Sequence, residues 1–100
     1  MASIPNWKWE GYAEYISRNG IDQKDLSKNI QRLQQTPDTS WAVKFSNQTI
    51  APKNYYEFWN LVQYCMDIKK MNYREILLDT ASEANLKKEM MQWFSSHSPK

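Results

Sequence analysis

Apolar positions recur at helical spacing through most of this chain. In the first segment Trp9, Tyr12, Ala13 and Ile16 fall at i, i+3, i+4 and i+7, which places them on one face of a helix. Asn6 reads as its N-cap and Gly20 as its stop. Gly11 weakens that helix by about 1 kcal/mol relative to alanine. A second helix opens more clearly. Asp22 can cap it, Asp25 suits the positive end of the helix dipole, and Ile21 with Leu26 forms a hydrophobic staple. Leu26, Ile30 and Leu33 then make a narrow stripe that ends near Thr36-Pro37.

Residues 36–51 carry two patterns. Thr36-Pro37-Asp38 reads as cap, first-turn proline and dipole-favoured acid, so the preferred reading is a helix through Phe45 with Trp41, Ala42 and Phe45 on one face. Trp41, Val43 and Phe45 also alternate, as a short half-buried strand requires. Ser46 to Thr49 reads as a turn or loop under either pattern. Beyond it, Pro52 can start the most apolar helix, with Asn54 and Glu57 spaced as a capping box. Tyr55, Phe58, Trp59, Val62, Cys65 and Met66 share a face that Leu61, Tyr64 and Ile68 widen. A helix so apolar around its girth belongs at the centre of a bundle. Lys69 and Lys70 close it where cations suit the negative helix end.

Met71, Asn72, Glu75 and Ile76 repeat a start signal: staple residue, cap, third-position acid, staple residue. The helix that follows carries Tyr73, Ile76 and Leu77 inward. It breaks or bends near 79–82, where Ser82 can cap a last helix bearing Leu86, Met90, Trp93, Phe94 and His97 on one stripe. The pattern as a whole predicts an all-α fold, a small single-domain bundle of four to five helices over residues 1–100. One short strand or irregular segment near 40–50 is compatible with it. Residues 1–4 and 95–100 are expected to fray.

Composition supports a packed domain. Of 100 residues, 41% are hydrophobic, with 5 Trp, 6 Tyr and 3 Phe, which argues against disorder. Charge is nearly balanced at +2. Six Lys/Arg face five Asp/Glu in residues 1–50, and seven face six in 51–100, so neither half is a polyanion magnet. The isoelectric point near 8.7 lies below that of dedicated nucleic-acid domains. The single cysteine, Cys65, excludes an internal disulfide and fits a reducing compartment. No apolar leader opens the sequence, alanine at position 2 departs from the myristoylation pattern, and no run approaches the ~20 apolar residues of a membrane span. The expected location is therefore cytoplasmic or another intracellular reducing compartment, with no membrane partner.

Chemistry-bearing motifs are scarce. Two distant glycines make no phosphate-cradling loop. Cys65 and His97 alone are too few for a transition-metal site, and no calcium-loop spacing occurs. Cys65 lies mid-helix on the expected core face, so a Cys–His nucleophile pair with His97 is disfavoured. Asp22/Asp25 and Asp79/Glu83 read as caps rather than acid–base couples. The expectation is a chain without catalytic residues, cofactor or metal.

Two surfaces remain. Lys24, Lys28 and Arg32 recur every four residues, a ridge able to lie along a phosphate backbone. The competing reading is a solvated helix face diluted by Asp22 and Asp25. Lys69, Lys70 and Arg74, which Lys87 and Lys88 can join, are a second basic group, read as helix-end compensation or as a contact surface. Trp7 and Trp9 flank Lys8, and Tyr55 and Tyr56 adjoin, so each pair cannot point inward together. Trp7, Trp9, Tyr56, Met90 and Met91 are accordingly the candidates for a protein-binding surface. The preferred function is a non-catalytic helical protein–protein interaction module or regulatory subunit, binding another protein or itself as a homo-oligomer. The alternative is a nucleic-acid-binding domain or nucleoprotein-complex subunit acting through Lys24, Lys28 and Arg32.

Overall fold

A computed structural model describes residues 4–17, 25–45 and 50–97. The elements run α1 (Asn6–Ser17), α2 (Leu26–Gln35), β1 (Ala42–Lys44), β2 (Ile50–Pro52), α3 (Lys53–Gln63), a π-helical turn (Tyr64–Ile68), α4 (Tyr73–Leu78) and α5 (Glu83–His97). The helical bundle with one short-strand interruption is thus present. No helix among the described residues is long and apolar enough to cross a membrane.

The centre of the bundle is α3, as its girth of apolar residues demands. Tyr56, Trp59, Leu61, Val62, Tyr64 and Cys65 are all buried, together with the polar Asn60 and Gln63. The main core gathers Trp7 from α1, Leu26 and Ile30 from α2, Ile76 from α4, and Leu86 and Met90 from α5 around Leu61, Val62 and Cys65. A smaller core joins Val43, Phe45 and Ala51 to Tyr56 and Trp59.

The segment before α3 corrects the expected helix through Phe45. Thr36 ends α2 instead of starting a helix: its N–H donates to the Leu33 carbonyl at 3.2 Å and its hydroxyl to the Arg32 carbonyl at 2.9 Å. A turn follows, with the Ser40 N–H on the Pro37 carbonyl at 2.9 Å. Residues 42–44 then pair antiparallel with 50–52, Val43 opposite Ala51. Alternation wins because the strand has a partner, and it sends Val43 and Phe45 into the smaller core while Trp41 stays 70% exposed. Pro52 sits at the end of this two-stranded pairing, where its missing N–H is tolerated. The Asn54–Glu57 capping box does not form; α3 starts directly from β2, with Pro52 in the cap position and no side-chain cap.

Other local signals act as read. Asn72 Oδ1 accepts from the Glu75 N–H at 2.8 Å and Glu75 Oε1 from the Asn72 N–H at 3.0 Å, the reciprocal box. Ser82 Oγ accepts from the Asn85 N–H at 3.1 Å, so α4 and α5 are separate helices. The α2 cap is Asp25, whose carboxylate accepts from the Lys28 N–H at 3.3 Å; the expected Asp22 cap, Ile21 staple and Gly20 stop lie outside the described residues, as do Ser46 to Thr49. Residues 95–97, expected to fray, belong to α5.

The end of α3 widens into a π turn, with the Lys69 N–H reaching the Tyr64 carbonyl at 3.1 Å. Lys70 then takes φ 60°, the left-handed conformation that glycine usually supplies, and the Met71 N–H closes on the Cys65 carbonyl at 2.9 Å.

Candidate interaction surface

Helix α1 lies on α3 in the opposite rotational sense to its apolar spacing. Trp7, Lys8 and Gly11 face the interior, whereas Trp9 (47% exposed), Ala13 and Ile16 (56% exposed) face out. Of the four-residue stripe read from the sequence, only Tyr12 turns inward, stacking on Tyr73 of α4 with ring centroids 3.9 Å apart. Three contacts hold this rotation. Gly11 permits a backbone approach to Phe58 that no side chain would allow: a β-carbon there would lie 2.7 Å from Val62 Cγ2 and closer still to the Phe58 carbonyl oxygen. The Tyr15 hydroxyl donates to Asp67 Oδ1 at 2.7 Å. The buried Lys8 ammonium donates to the carbonyl oxygens of Asp79 at 2.6 Å and Leu77 at 3.4 Å, neutralising the negative end of α4.

The consequence is a wet apolar stripe. Trp9 and Ala13, beside half-buried Tyr55 of α3, line a shallow notch edged by Glu10 and Glu14. Sequence reasoning named Trp9 but not Ala13 or Ile16 as surface. The signal available was Gly11, whose small size marks the face that approaches α3.

The remaining protein-binding candidates divide. Trp7, Tyr56 and Met90, expected outside, are buried. Trp7 and Met90 belong to the main core; Tyr56 packs edge-on against Phe45 and Trp59 at centroid distances of 5.3 and 5.0 Å. Met91 is half-buried. It lines a groove of about 400 Å³ with Ile30 and Leu33, flanked by the ion pairs Lys87–Glu57 (2.9 Å) and Lys53–Asp38 (3.6 Å). Met91 is therefore remote in role from the α1 stripe, lining a different depression with different elements.

The three basic-ridge candidates have different surroundings. Lys24 lies outside the described residues and Lys28 is exposed, but Arg32 is committed inward. Its Nη1 donates to Asn29 Oδ1 at 3.1 Å and to the Tyr56 hydroxyl at 3.0 Å, and its guanidinium lies 5.3 Å from the Phe45 ring centroid. Asn29 receives the Tyr56 hydroxyl at 2.9 Å and donates to Gln63 Oε1 at 2.9 Å. This buried polar network ties α2 to α3, which is why a surface-spaced arginine serves the interior.

Cys65 is buried within the main core, and burial pushes its thiol up to about 11, with Lys69 pulling the other way. A buried protonated thiol is a poor nucleophile. The side chain of His97 lies outside the described residues. Among the described residues no group of three or more His, Cys, Asp or Glu side chains is arranged to hold a metal ion. Comparison with known proteins adds no relative: no family model, no curated protein and no solved structure matches this chain.

Proposed function

We propose that this chain is a non-catalytic protein-interaction module that docks a partner on the outward stripe of α1. The observation that carries the reading is the exposure of Trp9, Ala13 and Ile16 along one helix face, while the same helix buries a lysine and a glycine. A helix that keeps its tryptophan and isoleucine wet leaves apolar area available to a partner, and tryptophan is favoured at interface centres. The partner is another protein or a second copy of the chain. A reducing intracellular compartment is proposed with it, on the single buried thiol.

The test is a photo-crosslinking amino acid placed at exposed Ala13 in cells that make the protein. The expected result is a discrete protein adduct that disappears when Trp9→Ser and Ile16→Ser are combined. Both replaced side chains are exposed, so the helical circular dichroism should be unchanged. Absence of a protein adduct, or an adduct indifferent to the double substitution, defeats the reading.

A further inference from the structure

Lys8 is 3% exposed, yet among the described residues it has no carboxylate partner; its ammonium meets the Leu77 and Asp79 carbonyls and lies 5.8 Å from the Trp7 ring centroid. Carbonyl dipoles and a ring face hold this cation with partial charges alone, and an incoming anion supplies the full counter-charge they lack. Three N–H bonds radiate from an ammonium, and two carbonyls leave one over.

The space beside it has the right character. A cleft of about 640 Å³ opens between the start of α1 and the α4–α5 junction, within the size range of small-molecule sites. Its apolar walls are Ile4, Pro5, Leu77, Leu78 and Ala81, with Leu78 left 70% exposed. Lys8, the exposed Arg74 and Asp79 supply the charged groups. Two cations against one acid leave one positive charge to satisfy. A guanidinium and an ammonium together suit a carboxylate, and Asp79 disfavours a dianion.

We propose that this cleft binds a small aliphatic monocarboxylate, its carboxylate between Lys8 and Arg74 and its tail against Ile4, Leu77 and Leu78. The site is separate from the α1 stripe, so the two readings fail independently. Octanoate is the probe, with 1-octanol as the uncharged control and acetate as the tail-less one, each titrated into the whole chain and followed by amide NMR shifts. Octanoate should give saturable shifts centred on residues 77–81. Octanol and acetate should each bind about tenfold or more weakly, the loss of one charge-assisted contact or of the apolar tail. Arg74→Ala should weaken octanoate about tenfold and leave octanol unaffected. Leu78→Ser should weaken both. Lys8→Met should remove the preference for octanoate over octanol; if that variant does not fold, the two exposed substitutions decide. Shifts that do not saturate, shifts centred on Trp9 and Tyr55, equal affinity for octanol, or indifference to Arg74→Ala would each overturn the proposal.

Discussion

Gly11 of α1 and the Phe58 carbonyl of α3 touch so closely that the helix pair has no room for a methyl group between them. The contact lies in the most extensive helix–helix packing of the fold. Two effects of Gly11→Ala therefore oppose each other. Helix propensity gains about 1 kcal/mol, whereas overpacking against a backbone carbonyl that cannot swing aside costs about 1–3 kcal/mol or more. The clash should win. Urea unfolding should show a net loss of stability, and a gain would mean that α1 and α3 do not meet at Gly11.

Arg32 and Lys28 share a helix face by spacing but differ in role. Arg32→Ala leaves Asn29 and Tyr56 short of a half-buried charged donor and should cost about 1–3 kcal/mol. Lys28→Ala, at an exposed position, should stay within about 0.5 kcal/mol of the parent. Equal effects in thermal unfolding would remove the buried network as the reason for Arg32's placement.

Asn60 presents the opposite case. It is fully buried, and neither its amide nitrogen nor its oxygen finds a hydrogen-bond partner among the described residues. Leucine branches at the same carbon and carries no polar atoms. Asn60→Leu should raise stability by about 1–3 kcal/mol, read as a higher urea midpoint. An unchanged or lower midpoint would indicate that the amide is satisfied.

Alkaline pH should loosen the fold in a definite window. Burial, opposed by Lys69, lifts Cys65 from its ordinary 9.0 to about 11. Burial and the hydrogen bond to Asp67 lift Tyr15 from 10.0 to about 12, and burial with the bond to Glu89 raises Tyr64 as well. The unfolded chain releases each of these protons first. The stabilisation is therefore intact below pH 9 and fades as pH rises through 9 to 11 and beyond. Urea midpoints should be flat from about pH 7 to about pH 8.5 and then fall, with Cys65→Ala shifting the onset towards the tyrosine range. A flat profile to about pH 11 would contradict these raised values.

What could be read from the residues alone was local. The Asn72–Glu75 box lies within four positions, so its atoms meet whenever the helix forms. The all-round apolar girth of α3 needs no partner identified to imply a buried centre. The rotation of α1 was illegible because apolar spacing favours burying Trp9, Ala13 and Ile16, while the contacts that win lie at Phe58, Asp67 and Asp79. The strand at 42–44 was ambiguous for a related reason. Three residues are too few to set a period, and what decides is pairing with 50–52. Arg32 misled as a ridge residue because helical spacing does not reveal that Tyr56 and Asn29 wait beneath it.

The hydrogen bonds from Lys8 join residues 69 and 71 positions apart, which has a bearing on how the chain reaches its final form. Helix α1 cannot fasten its lysine until a segment 71 positions further along the chain has joined it. Until then the ammonium stays hydrated, and only the Gly11–Phe58 approach and the Tyr15–Asp67 bond turn the Trp9 face outward. The latching of one segment by another so distant makes arrival of the α4–α5 junction, rather than formation of α1, the event that locks which side of that helix the outside world meets.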